Sequence, residues 1–527
     1  MNLTKYILFC LALSLTASAE AVRPNILFII SDDQDFATIG AYGGKVLTPN
    51  IDRLAEQGMR FNRGYCTTSS CAPSRYAIMT GRLASRCSSD EFKAVNPPGT
   101  QAYITNDAIV LEPDRPTLAQ VLRTGGYRTG FVGKWHLGPH HNATIGMQHI
   151  PKGKKLGEPD VDAVLQANQR VIADYFKILG FDYTANVYWD NVGGWPVHVD
   201  GMDAQNLEWT VRGAFDFLDR QDGKQPFFLW MAPVQLHNPC AAIKNYAPLV
   251  GSERITPGGV LAEIPDVMPP RETLYVRLKE AGLPLDIPKS KTCMKYGTDY
   301  CLWLDDGVGA VLKKLEEKGL AENTLVVYFS DNATWGKFHT YERGCNVPLI
   351  MRWPGKIKQG SVSDALVANV DFPLTVLAAA GLSSPADLCM DSVNQLPLLI
   401  GEKEHIRETV VLEFGCTRSI SDGRWKYIAL RPTAEDHAFE KKVGLPAGHW
   451  GARETEDRFR GLQGWRAWHE KHYPAYYDTN QLYDLKNDPK EKTNLATNPE
   501  HAAELARMKR LLSKNLPEAG RSFGEFE

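Results

Sequence analysis

A cysteine at the start of a predicted helix is the first candidate for chemistry in this chain. Cys71 opens the string CAPSR at 71–75, which continues to TGR at 80–82. Pro73 suits the first turn of a helix and Gly81 suits its end, so we expect Cys71 just before a helix N-terminus. That position favours an anionic ligand and would lower the pKa of a thiol. The alternative is a buried structural cysteine, because cysteine is among the most buried residue types.

Two pairs of oxygen-bearing side chains come next. Asp32 and Asp33 follow one predicted strand, and Asp331 and Asn332 follow another. Either pair alone would be read as a helix cap or a solvated turn. Two pairs at the same edge of a sheet instead predict a site for a hard divalent cation, which takes oxygen ligands. The number of carboxylates favours calcium, with magnesium as the alternative.

Basic and imidazole side chains occupy comparable positions. Lys134 and His136 follow a third predicted strand, His237 follows a fourth, and Lys337 lies shortly after Asp331. Each, taken singly, is explained by an exposed lysine or a structural histidine. In open α/β sheets, however, ligands bind outside the carboxyl ends of the strands. We therefore expect one shared site at this edge.

The elements that position these residues alternate along the chain. Apolar runs at 26–30, 129–132, 227–231 and 325–329 predict buried strands, and the segments 48–57, 117–122 and 308–318 predict helices. Such alternation is typical of an α/β fold with a mostly parallel mixed sheet flanked by helices.

The pattern changes after residue 382. Short strands at 410–414 and 425–428, joined around the turn 421–423, predict an antiparallel pair, with a further strand at 482–485 and a final helix from about 498. We predict a catalytic α/β domain at 20–390 and a smaller C-terminal subdomain at 391–527, an antiparallel sheet plus helix.

Composition excludes several classes of protein. The 527 residues carry a net charge of −3, which gives no sign of nucleic-acid binding, so an anionic substrate must be attracted by local basic residues. The absence of a Cys-x-x-Cys pair in the sequence argues against a zinc ribbon or a thioredoxin-like site. The other cysteines permit disulfides without specifying their pairing.

The first residues have the layout of a secretory signal. Lys5 precedes an apolar run at 6–13, and small residues follow at 17–19. A membrane anchor would need about 20 apolar residues, and this run is shorter. We predict a signal peptide at 1–19, no stable membrane insertion, and export to the periplasm, the exterior or a secretory lumen.

The motif at 71–82 resembles the signature of the type I, formylglycine-dependent sulfatases of the alkaline-phosphatase-like superfamily. GKWHLG at 133–138, TPNID at 48–52 and LYDL at 482–485 also match that family. Two positions depart from it: Ala333 stands where the family usually has Gly, and Asn346 stands where an Arg is often found. These departures concern the surroundings of Lys337.

The resemblance implies a set of roles. Cys71 would be oxidised to formylglycine by a formylglycine-generating enzyme, and the hydrated aldehyde would attack sulfur and later expel sulfate. Arg75 would hold the formylglycine oxygens, and His136 would contact them and act as base. Lys134 would bind the sulfate, while His237 and Lys337 would contact it and the departing oxygen. The implied metal ligands are Asp32, Asp33, Cys71, Asp331 and Asn332.

The function that follows is an exported sulfatase acting on a sulfated carbohydrate or polysaccharide rather than on a small aryl sulfate. One alternative is a phosphatase or phosphonate hydrolase of the same fold, although such relatives generally need ligands for a second metal. Another is a non-catalytic protein that binds sulfated glycans. Trp189, Trp195, Trp335 and the segment 450–468 are candidates for stacking on sugar rings, although buried core is the commoner fate of such residues.

Overall fold

The computed structural model describes residues 23–138, 145–150, 153–154, 158–191, 206–237, 255–256, 259–260, 267–283, 298–443, 466–516 and 523–524. The predicted signal peptide at 1–19, together with Trp195, Cys240, Cys293 and residues 450–465, lies outside the described residues.

The strands that precede residue 390 form one large sheet and two small pairs. Their bounds are β1 Asn25–Ser31, β2 Met59–Phe61, β3 Gly64–Tyr65, β4 Arg128–Lys134, β5 Tyr183–Tyr188, β6 Phe227–Ala232, β7 Ile255–Thr256, β8 Gly259–Val260, β9 Thr324–Ser330, β10 Leu349–Arg352, β11 Ser361–Ser363 and β12 Val367–Ala368. Eight of them pair in the order β11-β2-β10-β9-β1-β6-β4-β5. Among the described strands of that sheet, only β10 runs antiparallel to its neighbours. The mixed, mostly parallel sheet is the fold class predicted from the sequence.

Helices cover both faces of this sheet. Their bounds are α1 Pro49–Glu56, α2 Cys71–Thr80, α3 Asp90–Val95, α4 Leu118–Thr124, α5 Pro159–Ile178, α6 Leu207–Asp219, α7 Leu274–Glu280, α8 Thr298–Glu317, α9 Glu342–Cys345, α10 Phe372–Ala379 and α11 Leu396–Leu399.

The central strand β1 shows why the fold is layered. Successive side chains of a strand point to opposite faces. Phe28 belongs to the core that contains residues of α2, α4, α5 and α10 on one face, and Leu27 belongs to the core that contains residues of α1, α6, α7 and α8 on the other. Every residue of β1 is buried. A uniformly apolar strand is therefore required here, as the sequence indicated.

The C-terminal region forms a second, antiparallel sheet. Its strands are β13 Val410–Phe414, β14 Thr417–Ser421, β15 Trp425–Leu430 and β16 Asn480–Asp484, paired in that order. Helix α12 spans Ala434–Val443, residues 466–472 are also helical, and α13 spans Ala502–Asn515. Met508 and Leu512 of α13 pack against Ile420, Tyr427 and Leu482 of the sheet.

One strand pairing was predicted wrongly. The sequence suggested that 410–414 pairs with 425–428, but β14 lies between them and pairs with both. The sequence of β14, TRSIS, is mostly polar and did not predict a strand, yet all five of its residues are buried. Arg418 is buried there because its guanidinium donates hydrogen bonds to the backbone carbonyls of Ala102 and Gly415, at 2.6 and 3.1 Å.

Two further expectations from the sequence, on membrane insertion and on disulfide pairing, can be compared with the structure. Among the described helices, none combines the length and apolar character needed to cross a membrane. Cys66, Cys71, Cys87, Cys301, Cys345, Cys389 and Cys416 are all buried free thiols.

Candidate active site

The large sheet brings the predicted site residues to one edge. β1 pairs in parallel with β9, with Ser31 opposite Ser330, so the pairs 32–33 and 331–332 leave the sheet side by side. β6, which leads to His237, pairs with the other side of β1, and β4, which leads to Lys134, pairs with β6. Four neighbouring strands thus end at the same place, as expected for a sheet with shared carboxyl ends.

Cys71 lies at the centre of this group. It is the first residue of α2, with Ser70 as the N-cap, and α2 ends at Gly81, whose φ of 63° suits glycine. The Cys71 Sγ is 3.4 Å from Asp32 Oδ1 and 3.4 Å from Lys337 Nζ. Only 2% of the residue is exposed. The helix boundary is therefore one residue earlier than the sequence suggested.

The thiol of Cys71 is not an activated thiolate. Burial raises its pKa well above the ordinary value, and the Asp32 carboxylate raises it further, while Lys134 and Lys337 oppose the shift without overcoming it. The sequence-based expectation of a lowered pKa is wrong, because desolvation and a nearby carboxylate outweigh the helix N-terminus.

Lys134 connects two strand ends. Its Nζ donates hydrogen bonds to Asp32 Oδ2 and to Asn191 Oδ1, each at 2.6 Å. Burial alone would raise the pKa of Asp32, but Lys134, His237 and the other cations hold it well below its usual range. Burial alone would lower the pKa of Lys134, yet Asp32 raises it, so both groups are ionised.

Lys337 and His237 approach the second carboxylate. Lys337 Nζ donates a 2.6 Å hydrogen bond to Asp33 Oδ1, and His237 Nε2 lies 3.8 Å from Asp33 Oδ2. Burial raises the pKa of Asp33 despite the opposing charge of Lys337. The His237 side chain is 18% exposed, whereas that of Lys337 is 5% exposed. His237 is therefore the group closer to the mouth of the site.

Arg75 holds the third carboxylate. Its Nε and Nη2 both lie 2.8 Å from Asp331 Oδ2, and its Nη1 donates to the backbone carbonyl of Lys134 at 2.8 Å. Arg75 and Asp331 are completely buried. Burial and the charge of Asp32 raise the pKa of Asp331, and Arg75 opposes that rise. The guanidinium thus ties α2 to the ends of β4 and β9.

The donor atoms fit a hard divalent cation. The buried Asn332 Oδ1 has no hydrogen-bond partner among the described residues, although its Nδ2 donates to Asp331 Oδ1 at 2.6 Å. An unpaired buried carbonyl oxygen is costly unless another electrophile binds it. Ligand atoms of Asp32, Asp33, Cys71 and His237 lie within 4.8 Å of one another. The two carboxylates of this group, Asp32 and Asp33, are of the ligand type that Ca²⁺ or Mg²⁺ prefers.

His136 reaches this centre through a residue that the sequence reasoning missed. Asn106 Oδ1 accepts hydrogen bonds from Ser70 Oγ at 2.8 Å and from the backbone N–H of Ala72 at 2.9 Å. Its Nδ2 lies 2.9 Å from His136 Nε2. Asn106 therefore joins the N-terminus of α2 to His136. It lies in a loop without periodicity, so no sequence signal pointed to it.

Two more missed residues follow β5. Asp190 Oδ1 lies 2.8 Å from His136 Nε2, and Asn191 is the second partner of Lys134. The sequence signal existed, because Asp190 and Asn191 follow a strand at the same edge of the sheet. β5 was overlooked because its sequence, YTANVY, belongs to a half-buried edge strand rather than to an apolar run.

The C-terminal region supports the loop that carries Lys337. His469 Nε2 donates a 2.8 Å hydrogen bond to the backbone carbonyl of Lys337. Beside it, Tyr341 stacks on Tyr473 with ring centroids 3.5 Å apart, within a buried cluster that includes Phe338. The position of Lys337 thus depends on residues more than a hundred positions further along the chain.

Comparisons with known proteins show which family and which relatives the chain resembles. A family model described as Sulfatase matches residues 24–382. An N-acetylgalactosamine-6-O-sulfatase of Bacteroides thetaiotaomicron is 27% identical over 543 aligned positions, covering 92% of this chain and 92% of its own. Human N-acetylgalactosamine-6-sulfatase is 29% identical, covering 73% of this chain and 67% of its own.

Solved structures share the fold. A Bacteroides thetaiotaomicron protein studied for glycosaminoglycan metabolism superposes with a TM-score of 0.61 at 22% identity, covering 93% of this chain and 99% of its own. A second structure, solved with its substrate D-glucosamine-2-N,6-O-disulfate, gives a TM-score of 0.56 at 21% identity, covering 93% of this chain and 97% of its own.

Proposed function

Because the chain belongs to the sulfatase family, we propose that it releases sulfate from ester groups on a sulfated carbohydrate of the glycosaminoglycan type. The chain is a sulfuric ester hydrolase. The observation that carries the proposal is the buried centre in which Cys71 contacts Asp32 and Lys337, with Lys134 bound to the same Asp32. Such a centre has the charges and the dry surroundings that stabilise a transferring sulfuryl group.

We propose that Cys71 acts as formylglycine. The raised pKa of its thiol argues against a thiolate nucleophile. A hydrated aldehyde would supply two hydroxyl groups, one to attack sulfur and one whose deprotonation lets sulfate leave. A formylglycine-generating enzyme is then a required partner for maturation.

We propose Ca²⁺ as the cation, with Mg²⁺ as the alternative, held by Asp32, Asp33, Asp331, Asn332 and position 71. A divalent ion supplies Lewis-acid stabilisation of charge on the sulfuryl oxygens. The unpaired Asn332 Oδ1 and the three carboxylates support this assignment.

We assign the remaining catalytic roles to individual side chains. Lys134 is fixed by Asp32 and Asn191 and presents a permanent positive charge to a sulfuryl oxygen. His237, at the mouth, and Lys337 are suited to stabilise or protonate the departing alcohol oxygen. Asp190 and Asn106 both contact His136 at Nε2, and we assign His136 as the base for the second hydroxyl. Arg75 neutralises Asp331 and fixes α2.

The substrate class rests on the relatives. The Bacteroides and human relatives are named for 6-sulfated N-acetylgalactosamine, and one structural neighbour was solved with a 6-O-sulfated glucosamine. We propose a 6-sulfated amino sugar as the first substrate to test. Export, inferred from residues 1–19, would place the enzyme where such polymers are found.

The experiment is sulfate release from N-acetylgalactosamine 6-sulfate by protein produced with a formylglycine-generating enzyme. Cys71→Ala should lower kcat by about 10³-fold or more, the scale for removal of a nucleophile. Cys87→Ala, which changes a buried cysteine outside the centre, is the matched control. Mass spectrometry of the tryptic peptide reports whether position 71 is an aldehyde. Undiminished release by Cys71→Ala would overturn the mechanism, and release of phosphate but not sulfate from matched esters would overturn the function.

A further inference from the structure

A large cavity lies beside the catalytic centre, between the main sheet and the C-terminal region. Its volume is about 830 Å³, and its walls come from the loop after β1, from residues 335–346 and from residues 468–492. This volume is within the range of about 300–1,000 Å³ typical of ligand sites. None of the described catalytic candidates lines it. We call it the side cavity.

One wall of the side cavity is aromatic. The rings of Trp335 and Trp468 lie 5.3 Å apart, and His472 stacks on Trp468 at 4.1 Å with an interplanar angle of 20°. All three residues are only partly buried. Flat ring faces of this kind bind the apolar faces of sugars, whose hydroxyl groups stay at the edge.

The same wall carries positive charge. The Arg343 guanidinium lies 5.6 Å from the Trp335 ring centroid and 5.3 Å from that of Trp468. Arg343 is exposed, and Arg63, across the cavity, is partly buried. Neither guanidinium forms an ion pair or hydrogen bond with any part of the chain that the structure describes. A planar guanidinium with free donors matches a sulfate or carboxylate group.

Two of the three carboxylates that line the side cavity, Glu342 and Glu491, are paired within the protein. Glu342 accepts hydrogen bonds from the Tyr65 hydroxyl at 2.8 Å and from Lys426 Nζ at 3.0 Å. Glu491 lies 3.1 Å from the same buried Lys426 and accepts the backbone N–H of Glu342 at 2.8 Å. Burial raises the pKa of the third carboxylate, Asp35, to about 7, and the charge of Arg343 opposes that rise.

Lys490 and Lys492 add further cations to the lining. With Glu342 and Glu491 paired to Lys426, the four cations of the lining outnumber the one remaining acid, Asp35, and the cavity offers a positive surface to its contents.

The side cavity and the catalytic centre are linked by the loop that carries Lys337. Trp335 lies in the loop between Asn332 and Lys337, and Trp468 precedes His469, which binds the Lys337 carbonyl. The wall of the side cavity and the catalytic centre therefore share the loop that carries Lys337. This placement fits a second unit of one polymer better than an unrelated small molecule.

We propose that the side cavity binds an acidic sugar unit of the glycan at a distance from the ester being cleaved, through Arg63, Arg343 and the Trp335–Trp468 wall. The inference rests on the proposed function for its ligand class. It predicts that the enzyme prefers oligosaccharides over the isolated sulfated monosaccharide.

The test compares a chondroitin 6-sulfate hexasaccharide with N-acetylgalactosamine 6-sulfate as substrates. In the double variant Arg63→Gln/Arg343→Gln, kcat/KM for the hexasaccharide should fall about tenfold relative to that for the monosaccharide. Arg170→Gln, which removes an exposed arginine of α5, is the matched control and should leave the ratio unchanged. A ratio equal to that of the wild type in the double variant would overturn the inference.

Binding separates this inference from the proposed function. Calorimetry with the hexasaccharide and the Cys71→Ala protein requires no catalysis, and adding Arg63→Gln/Arg343→Gln should raise Kd about tenfold. An unchanged Kd would refute the subsite even if sulfate release is confirmed. Arginine-dependent binding without sulfate release by the wild type would support the subsite and refute the function. Thermal melting checks that each variant is folded.

Discussion

Replacing Asn106 with alanine should damage catalysis more than it damages the fold. The change removes the bonds to Ser70 Oγ at 2.8 Å and to the Ala72 N–H at 2.9 Å, and the contact with His136 Nε2 at 2.9 Å. The N-terminus of α2 and the imidazole would then lose their common support. Asn106 is a positioning residue in this reasoning, because it acts through Cys71 and His136.

The expected loss of stability follows from the number of contacts that Asn106 makes. Buried hydrogen bonds contribute about 1 kcal/mol each, so the three contacts predict a loss of about 3 kcal/mol in the free energy of unfolding. A displacement of about 1 Å in a reacting group costs about 10²-fold in rate. We therefore expect kcat to fall about 10²-fold, with a smaller change in KM.

A matched variant separates the two effects. Asn96 is also buried and makes two hydrogen bonds with the Tyr103 backbone, at 2.7 and 3.2 Å, without touching α2 or His136. Asn96→Ala should lose about 2 kcal/mol of stability while keeping its kcat. Urea unfolding and initial-rate kinetics on both variants give the comparison. If Asn106→Ala keeps kcat within twofold of the wild type, the positioning role is wrong.

Three further outcomes are expected. Added Ca²⁺ should raise the melting temperature of the wild type by several degrees and that of Asn332→Ala by much less; equal shifts would argue against Asn332 as a ligand. Lys134→Met should lower kcat/KM about 10²-fold, whereas Lys93→Met at an exposed position should not, and wild-type kinetics for Lys134→Met would contradict its role. Burial, followed by the charges of His469 and Lys426, lowers the pKa of His339 well below 6.5, so the folded protein does not take up the proton that the unfolded chain binds below that pH. His339 alone should therefore lower the free energy of unfolding by about 1.4 kcal/mol between pH 7.5 and 5.5, and His339→Phe should remove that contribution, measured as the difference between the two proteins in urea unfolding.

The sequence predicted which residues lie at the edge of the sheet because the relevant patterns lie within single strands and the residues that follow them. β1 and β9 are uniformly apolar and end in oxygen-bearing side chains, so neighbouring residues suffice to place Asp32, Asp33, Asp331 and Asn332 at one edge. The pairing of those two strands confirms the placement. The roles of these residues remain predictions.

What the sequence did not reveal depends on contacts between distant segments. The support of Lys337 by His469 spans 132 positions and has no pattern of its own. β14 is polar in sequence and buried in the fold, because Arg418 bonds to backbone carbonyls rather than to water. The pKa of Cys71 depended on how deeply the fold would bury it.

The bond between His469 and Lys337 also sets an order of events during synthesis. The 132 residues that separate them take roughly 7–26 s to add at about 5–20 residues per second. During that interval the loop of Lys337 and the aromatic ring of Tyr341 lack the partners that later enclose them. Until then Lys337, whose Nζ lies 3.4 Å from Cys71 Sγ in the finished structure, lacks this support.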